Sequence, residues 1–277
     1  MKSKTLGTIV ISVLSIVLVF ILLSQVSIKA VVDTFLSIDS FFLIAGFLLY
    51  SCTYILRAFR FSLLLNRSIS MQNLLPMVSV HIMMNNILPV RTGELSYVYL
   101  LKKIHARTTG EGLATLVVAR IFDFIVIIVL LFISRLFIRD VPAYLIDVFW
   151  IFYVFLICLL MLLLALVLSG SKFLYSFKRV LGYFHLEKTK FGDYILRKGY
   201  ETVNSCETME IRKTAASIVT ISVSIWFFST SALYTLLAGM GIFLPVQNVI
   251  FASSFILLTS ILPIYLTSPE DGWEGNV

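Results

Sequence analysis

Long apolar runs constrain this chain more than any single motif. The runs at about 6–26, 41–65, 112–137, 143–168 and 214–240 are each long enough to cross about 30 Å of hydrocarbon, which takes roughly 20 helical residues. Hydrocarbon offers no hydrogen bonds, so each backbone N–H and C=O must be satisfied within the structure. Unalternating apolar runs of this length meet that demand as helices. The expected fold is an all-α polytopic integral membrane protein with five to six spans plus re-entrant segments. A mean hydropathy of +0.99 excludes an ordinary soluble domain.

The formal net charge of +7 would suggest nucleic acid in a soluble protein. Here Lys and Arg cluster in the loops between apolar runs, where cytoplasmic loops carry them, so no nucleic-acid partner is expected. Lys2 and Lys4 precede the first run, which is too long for a signal-peptide core and lacks a convincing cleavage site. It is read as a retained span. The stretch 171–213 holds Lys172, Lys178, Arg179, Lys188, Lys190, Arg197, Lys198, Arg212 and Lys213. It is read as a cytoplasmic amphipathic connector, too short for a catalytic domain. The 95–111 connector is also basic, so it and the N-terminus belong in the cytoplasm of a multi-pass protein of the cell membrane.

Residues 71–90 are apolar but interrupted by Pro76, His81, Asn85, Asn86 and Pro89. They make a poor through-span and a good re-entrant hairpin. The decapeptide from Asn85 to Glu94 concentrates groups that are expensive in a bilayer. Such groups persist there when they line a polar cavity or bind something. Pro89 ends or kinks a helix, and Gly93 permits a turn that other residues resist. Asn85 and Asn86 satisfy freed backbone groups or hold a ligand's hydroxyls. Arg91 pairs with Glu94 or binds phosphate. His81 reads as a packed side chain. Arg120 and Asp123 are i, i+3 within the 112–137 run and so share a helix face. They read either as a mutually neutralising pair or as a site for an anionic head group. Arg57 and Arg60, also i, i+3, are either interfacial anchors or a phosphate site. Cys52, Cys158 and Cys206 have no zinc or redox spacing. No catalytic motif, metal site or cofactor is read from the chain.

Asn85-x-x-Leu88-Pro89-x-Arg91-x-Gly93-Glu94, preceded by Arg57-Ala58-Phe59-Arg60 and followed by Ala119-Arg120-Ile121-Phe122-Asp123, resembles the lysylphosphatidylglycerol synthase transmembrane-region family. That family, also called flippase-like, includes the membrane half of the multiple peptide resistance factor. The resemblance covers most of the chain. It implies movement of aminoacylated phosphatidylglycerol or glycosylated polyprenyl lipids between leaflets, with Asn85, Pro89, Arg91, Gly93, Glu94, Arg120 and Asp123 on the family's polar positions. No stretch of these 277 residues reads as the family's soluble aminoacyl-transferase domain, so lysyl transfer is not expected of them. The late segment from Pro263 to Glu274 only approximates the family's second motif, and the chain is expected to be C-terminally truncated.

Pro89 to Glu94 and Pro269 to Glu274 have equal spacing, each after an apolar run. One transmembrane domain, 1–277, is therefore read as a first half, 1–137, and an incomplete second half, 143–277. Three spans between the two starts would invert the copies, with 248–268 re-entering from outside; the alternative is a sixth through-span with a cytoplasmic tail. The expected function is binding and translocation of a lipid or lipid-linked head group, anionic or polyprenyl-linked. The alternatives are a membrane enzyme or accessory subunit of glycolipid or aminoacyl-lipid synthesis, and a small-solute transporter. Glycosyltransferases of a glycolipid pathway and a second copy of the chain are candidate partners.

Overall fold

The computed structural model describes residues 27–87, 93–138, 143–183 and 189–261. Among them the regular structure is entirely helical, as expected. The helices are α1 (Ile28–Ser37), α2 (Ser40–Leu64), α3 (Met71–Ile87), α4 (Glu94–His105), α5 (Thr109–Phe137), α6 (Ala143–Tyr183), α7 (Lys190–Thr208), α8 (Ile211–Gly239) and α9 (Val246–Ile261). Ser40–Leu64, Thr109–Phe137, Phe149–Gly170 and Lys213–Gly239 are long and apolar enough to cross a membrane. The expected span at 6–26 lies outside the described residues.

Local chemistry sets several helix starts. The Asp39 carboxylate accepts from the Phe41 N–H at 2.8 Å, and the Thr108 hydroxyl accepts from the Glu111 N–H at 3.1 Å. Thr189 does the same for Gly192 at 3.0 Å. Each satisfies a donor that the first helical turn leaves unpaired.

α2 and α8 form the main helix pair. They run antiparallel: Gly46 lies against Leu236, Gly239 lies against Phe42, and Arg60 reaches Ser222. Small residues at these crossings let two backbones approach, which is how helices associate where lipid removes the hydrophobic drive. At the Leu64 end of α2, Asn66 Nδ2 donates to the Thr208 carbonyl at 3.4 Å. α7 packs on the start of α5 at the same end, where a Cβ on Gly110 would come within 2.6 Å of the Glu201 carbonyl oxygen. This α7 end therefore gathers the end of α2, the start of α5 and the α7–α8 junction.

α3 and α4 form a helical hairpin with both feet at the α7 end, one following α2 and the other preceding α5. The 12 residues of α4 rise about 18 Å, short of the roughly 30 Å of a hydrocarbon core. The pair is re-entrant, but its returning arm is α4, residues that read as a loop-like basic connector in sequence. Tyr97, Val98 and Leu101 of α4 are buried, and they are what turns the connector into a packed helix. Pro76 does not break α3, which continues through it.

The connector at 171–213 is also not one helix. α6 runs past its apolar part, kinks at Gly170 and ends at Tyr183, and α7 follows separately. Gly170 has φ +27°, a region that side chains rarely adopt, and a Cβ there would meet Val203 at 2.7 Å. At the opposite end of the bundle α9 begins beside α6, with the Phe251 and Phe149 rings stacked at 6.1 Å. The Pro269–Glu274 segment lies outside the described residues.

The bundle surface carries exposed Ile44, Leu48, Phe59, Val129, Ile133, Ile151 and Phe227. Such a belt is intolerable in water and ordinary against lipid.

Candidate functional site

The polar groups singled out in the sequence come from four separate elements. Arg57 and Arg60 sit on α2, Asn85 and Asn86 end α3, Glu94 opens α4, and Arg120 and Asp123 lie midway along α5. The fold brings the charged ones together. Arg60 donates from Nη1 to Asp123 Oδ1 at 2.6 Å and from Nη2 to Oδ2 at 3.1 Å, a two-pronged contact. Arg60 Nη1 also donates to Ser222 Oγ of α8 at 2.9 Å. Arg120 donates to Glu94 Oε1, and its Nη1 lies 3.7 Å from Asp123 Oδ2. A chain of alternating charge thus runs Glu94, Arg120, Asp123, Arg60 and ends on Ser222. It ties the hairpin to three spans.

Two sequence expectations change here. Arg120 and Asp123 share a face, but they are not each other's main partner. The Asp123 carboxylate is taken by the planar Arg60 fork from across the bundle, which fits both oxygens at once. Arg60 is neither an interfacial anchor nor open to a phosphate, because its side chain is 2% exposed and its terminal nitrogens are engaged. Glu94 pairs with Arg120. Arg91, Pro89 and the rest of 88–92 lie outside the described residues, so the expected Arg91–Glu94 contact falls there too.

The hairpin closes against its own tip. His81 Nδ1 lies 3.4 Å from the Gly93 carbonyl, Asn85 Nδ2 lies 3.4 Å from His81 Nε2, and Ser96 Oγ donates to the Gly93 carbonyl at 2.6 Å. His81 is 5% exposed and packs with the Phe61 and Tyr97 rings, so it is a packed histidine as expected. Gly93 serves a different purpose from the expected one. Its φ of −59° is open to any residue, so backbone freedom is not what it supplies. A Cβ at Gly93 would instead overlap the backbone of Met84 and Asn85, so glycine allows the two arms to touch. Asn86 is exposed.

Ser222 is the network member that the sequence did not mark. It is one of Ser217, Thr220, Ser222 and Ser224 in the same apolar run, and only the α2–α8 register selects it. A cavity of about 170 Å³ opens nearby at the α7 end, lined by Leu64, Asn66, Arg107, Glu111 and Thr208 among others. Neither Arg60, Glu94, Arg120 nor Asp123 lines it.

No curated protein and no solved structure matches the chain. A family model described as "Lysylphosphatidylglycerol synthase TM region" matches residues 6–269, which include every member of the polar network. By that match, over nearly its whole length, the chain belongs to the family of lysylphosphatidylglycerol synthase transmembrane regions.

Proposed function

We propose that this membrane protein binds an anionic lipid head group beside the α3–α4 hairpin and passes it between leaflets. The observation that carries the reading is the charged chain from Glu94 to Arg60, which holds a re-entrant hairpin inside a bundle of apolar spans. Charges at this depth are costly to insert, roughly 2.5–3.5 kcal/mol each on translocation scales. Paired groups lower that cost and create a polar lane in a low-dielectric interior. A head group can follow such a lane while its acyl tails stay in the surrounding lipid, which the apolar outer faces of α2 and α5 accommodate. Family membership supports a lipid rather than a small solute. The basic residues of α4 and α7, Lys102, Lys103, Arg197 and Lys198, favour a cytoplasmic α7 end. On that orientation the hairpin opens to the cytoplasm.

The test is transbilayer movement in proteoliposomes holding the full chain and a tail-labelled fluorescent phosphatidylglycerol in both leaflets. Addition of an impermeant reductant should bleach the inner-leaflet label in protein-containing vesicles, well beyond the outer-leaflet fraction lost from empty ones. Bleaching confined to the outer leaflet in both would refute the reading.

A further inference from the structure

The polar interior is not charge-balanced. Arg57, Arg60 and Arg120 share it with Glu94 and Asp123, which leaves one positive charge in excess among the described residues. The contacts identify the group that carries the excess. Arg60 is held by Asp123 and Ser222, and Arg120 by Glu94 with Asp123 behind it. Among the described residues Arg57 has neither an ion pair nor a side-chain hydrogen bond.

Arg57 is not reaching for the water interface past a lipid-facing surface. It shares a face of α2 with Thr53, Phe61 and Leu64, all buried. The exposed residues Ile44, Leu48, Ile55 and Phe59 fall on the other side of the helix. Arg57 therefore faces the interior, within electrostatic reach of Asp123, Arg60 and Arg120. A guanidinium does not give up its proton, and this half-buried one keeps its charge with donors free for an anion, which its planar fork fits.

A second unmet group lies at the hairpin tip. Asn85 Oδ1 is buried and has no hydrogen-bond partner. A buried acceptor left unpaired is a standing cost that a donor removes. Asn85 contacts His81, which lies within electrostatic reach of Arg57, Glu94 and Arg120. Phe61, one turn from Arg57, packs on His81, which is one turn from Asn85, so the unpaired cation and the unpaired acceptor flank the contact between α2 and α3. An anion answers the first and a hydroxyl on the same molecule answers the second.

We propose that Arg57 and Asn85 bind a phosphate ester that carries its own hydroxyl donor. Arg57 takes the phosphate oxygens and Asn85 Oδ1 accepts from the hydroxyl. This rests on the head-group reading above and names the residues that select the head group. Arg60 and Arg120 then hold the scaffold and do not touch the ligand.

Equilibrium binding to the full chain in detergent separates these roles, with three probes. The probes are short-chain phosphatidylglycerol, phosphatidylmethanol of equal acyl length, which lacks the hydroxyls, and free glycerol 3-phosphate. The wild type should prefer phosphatidylglycerol over phosphatidylmethanol. Arg57→Gln should weaken both lipids by about tenfold or more, as loss of a charge-assisted contact does, without lowering the thermal midpoint. Arg57→Lys keeps the charge but not the fork, so it should fall between, and it carries the test if the Gln variant fails to fold. Asn85→Ala should erase the preference for phosphatidylglycerol and leave phosphatidylmethanol binding unchanged. Wild-type affinity in both Arg57 variants, or a preserved preference in Asn85→Ala, overturns the proposal. Glycerol 3-phosphate binding as tightly as the lipid would uphold the two residues and assign them to a soluble ester. A wild type that binds but does not move lipid in vesicles would refute translocation and leave this site standing.

Discussion

The two ends of the bundle solve the packing problem differently. Toward the α7 end, charged groups from α2, α4 and α5 meet inside the protein, surrounded by Phe61, Tyr97, Leu101 and Val118. Toward the other end α5, α6, α8 and α9 meet through Phe124, Ile127, Leu131, Phe149, Leu156 and Trp226, with stacked aromatic rings. The apolar end gives helices a reason to touch but little reason to choose one register, since lipid is as apolar as leucine. The charged end supplies direction: one fork, one carboxylate and one hydroxyl fix α2, α5 and α8 relative to each other. Specificity of arrangement is concentrated where polar groups are buried, and bulk is concentrated where they are not.

The largest effect should therefore come from breaking the charged end. Asp123→Ala leaves Arg60 and Arg120 without their shared carboxylate in a buried setting. Removing one partner of a buried pair typically costs about 3–5 kcal/mol. We expect a large drop in the thermal midpoint in detergent, and Asp123→Asn should recover only part of it. A variant as stable as the wild type would show that the network does not hold the bundle together.

The apolar end should yield less to a comparable cut. Leu131 is 1% exposed. In a soluble core Leu→Ala costs about 2–5 kcal/mol, part of it from water exposure in the unfolded state. A helix unfolded within lipid keeps its leucines in hydrocarbon, so only the packing part remains, about 1–2 kcal/mol. Leu131→Ala should lower the midpoint modestly and leave lipid binding intact. A loss equal to that of Asp123→Ala would erase the distinction between the two ends.

The sequence made the spans legible because length and hydropathy are local properties. It also marked Glu94, Arg120 and Asp123 as members of one site, because each is too costly to stand alone. Which of them pair was not legible. The spacing of Arg120 and Asp123 suggested a local pair, while Arg60, 63 residues upstream of Asp123, makes the better geometric match. That choice depends on the crossing of α2 with α5, which no window of sequence contains. The same holds for Ser222, one hydroxyl among several, and for α4, whose lysines read as a loop until its Tyr97–Leu101 face finds the bundle. Gly93 was marked for the right position but the wrong cause. Close approach of α3 needs knowledge of where α3 is, whereas a turn does not.

The smallest effect belongs to charges that touch water, and it sharpens what burial contributes. Glu201 of α7 accepts from Lys198 Nζ at 2.5 Å and from Thr109 Oγ1 at 3.1 Å, latching α7 to the start of α5. The Lys198 hydrogen bond is the main cause that holds its carboxyl below the usual glutamate range, in a group that stays partly open to solvent. A depressed folded-state pKa adds stability above the unfolded value, and that stability is lost as pH falls through the folded one. The latch should therefore be complete at neutral pH and weaken in acid. Exposed pairs contribute about 0–1 kcal/mol and are screened by salt, so Glu201→Gln should shift the midpoint little. Raising the salt at pH 7 should shrink the difference between Glu201→Gln and wild type, while the penalty in Asp123→Ala persists because its partners are shielded from ions. If salt abolished both differences alike, the Asp123 pair would be as open to water as the latch, and the contrast between a buried scaffold and a solvated latch would fail.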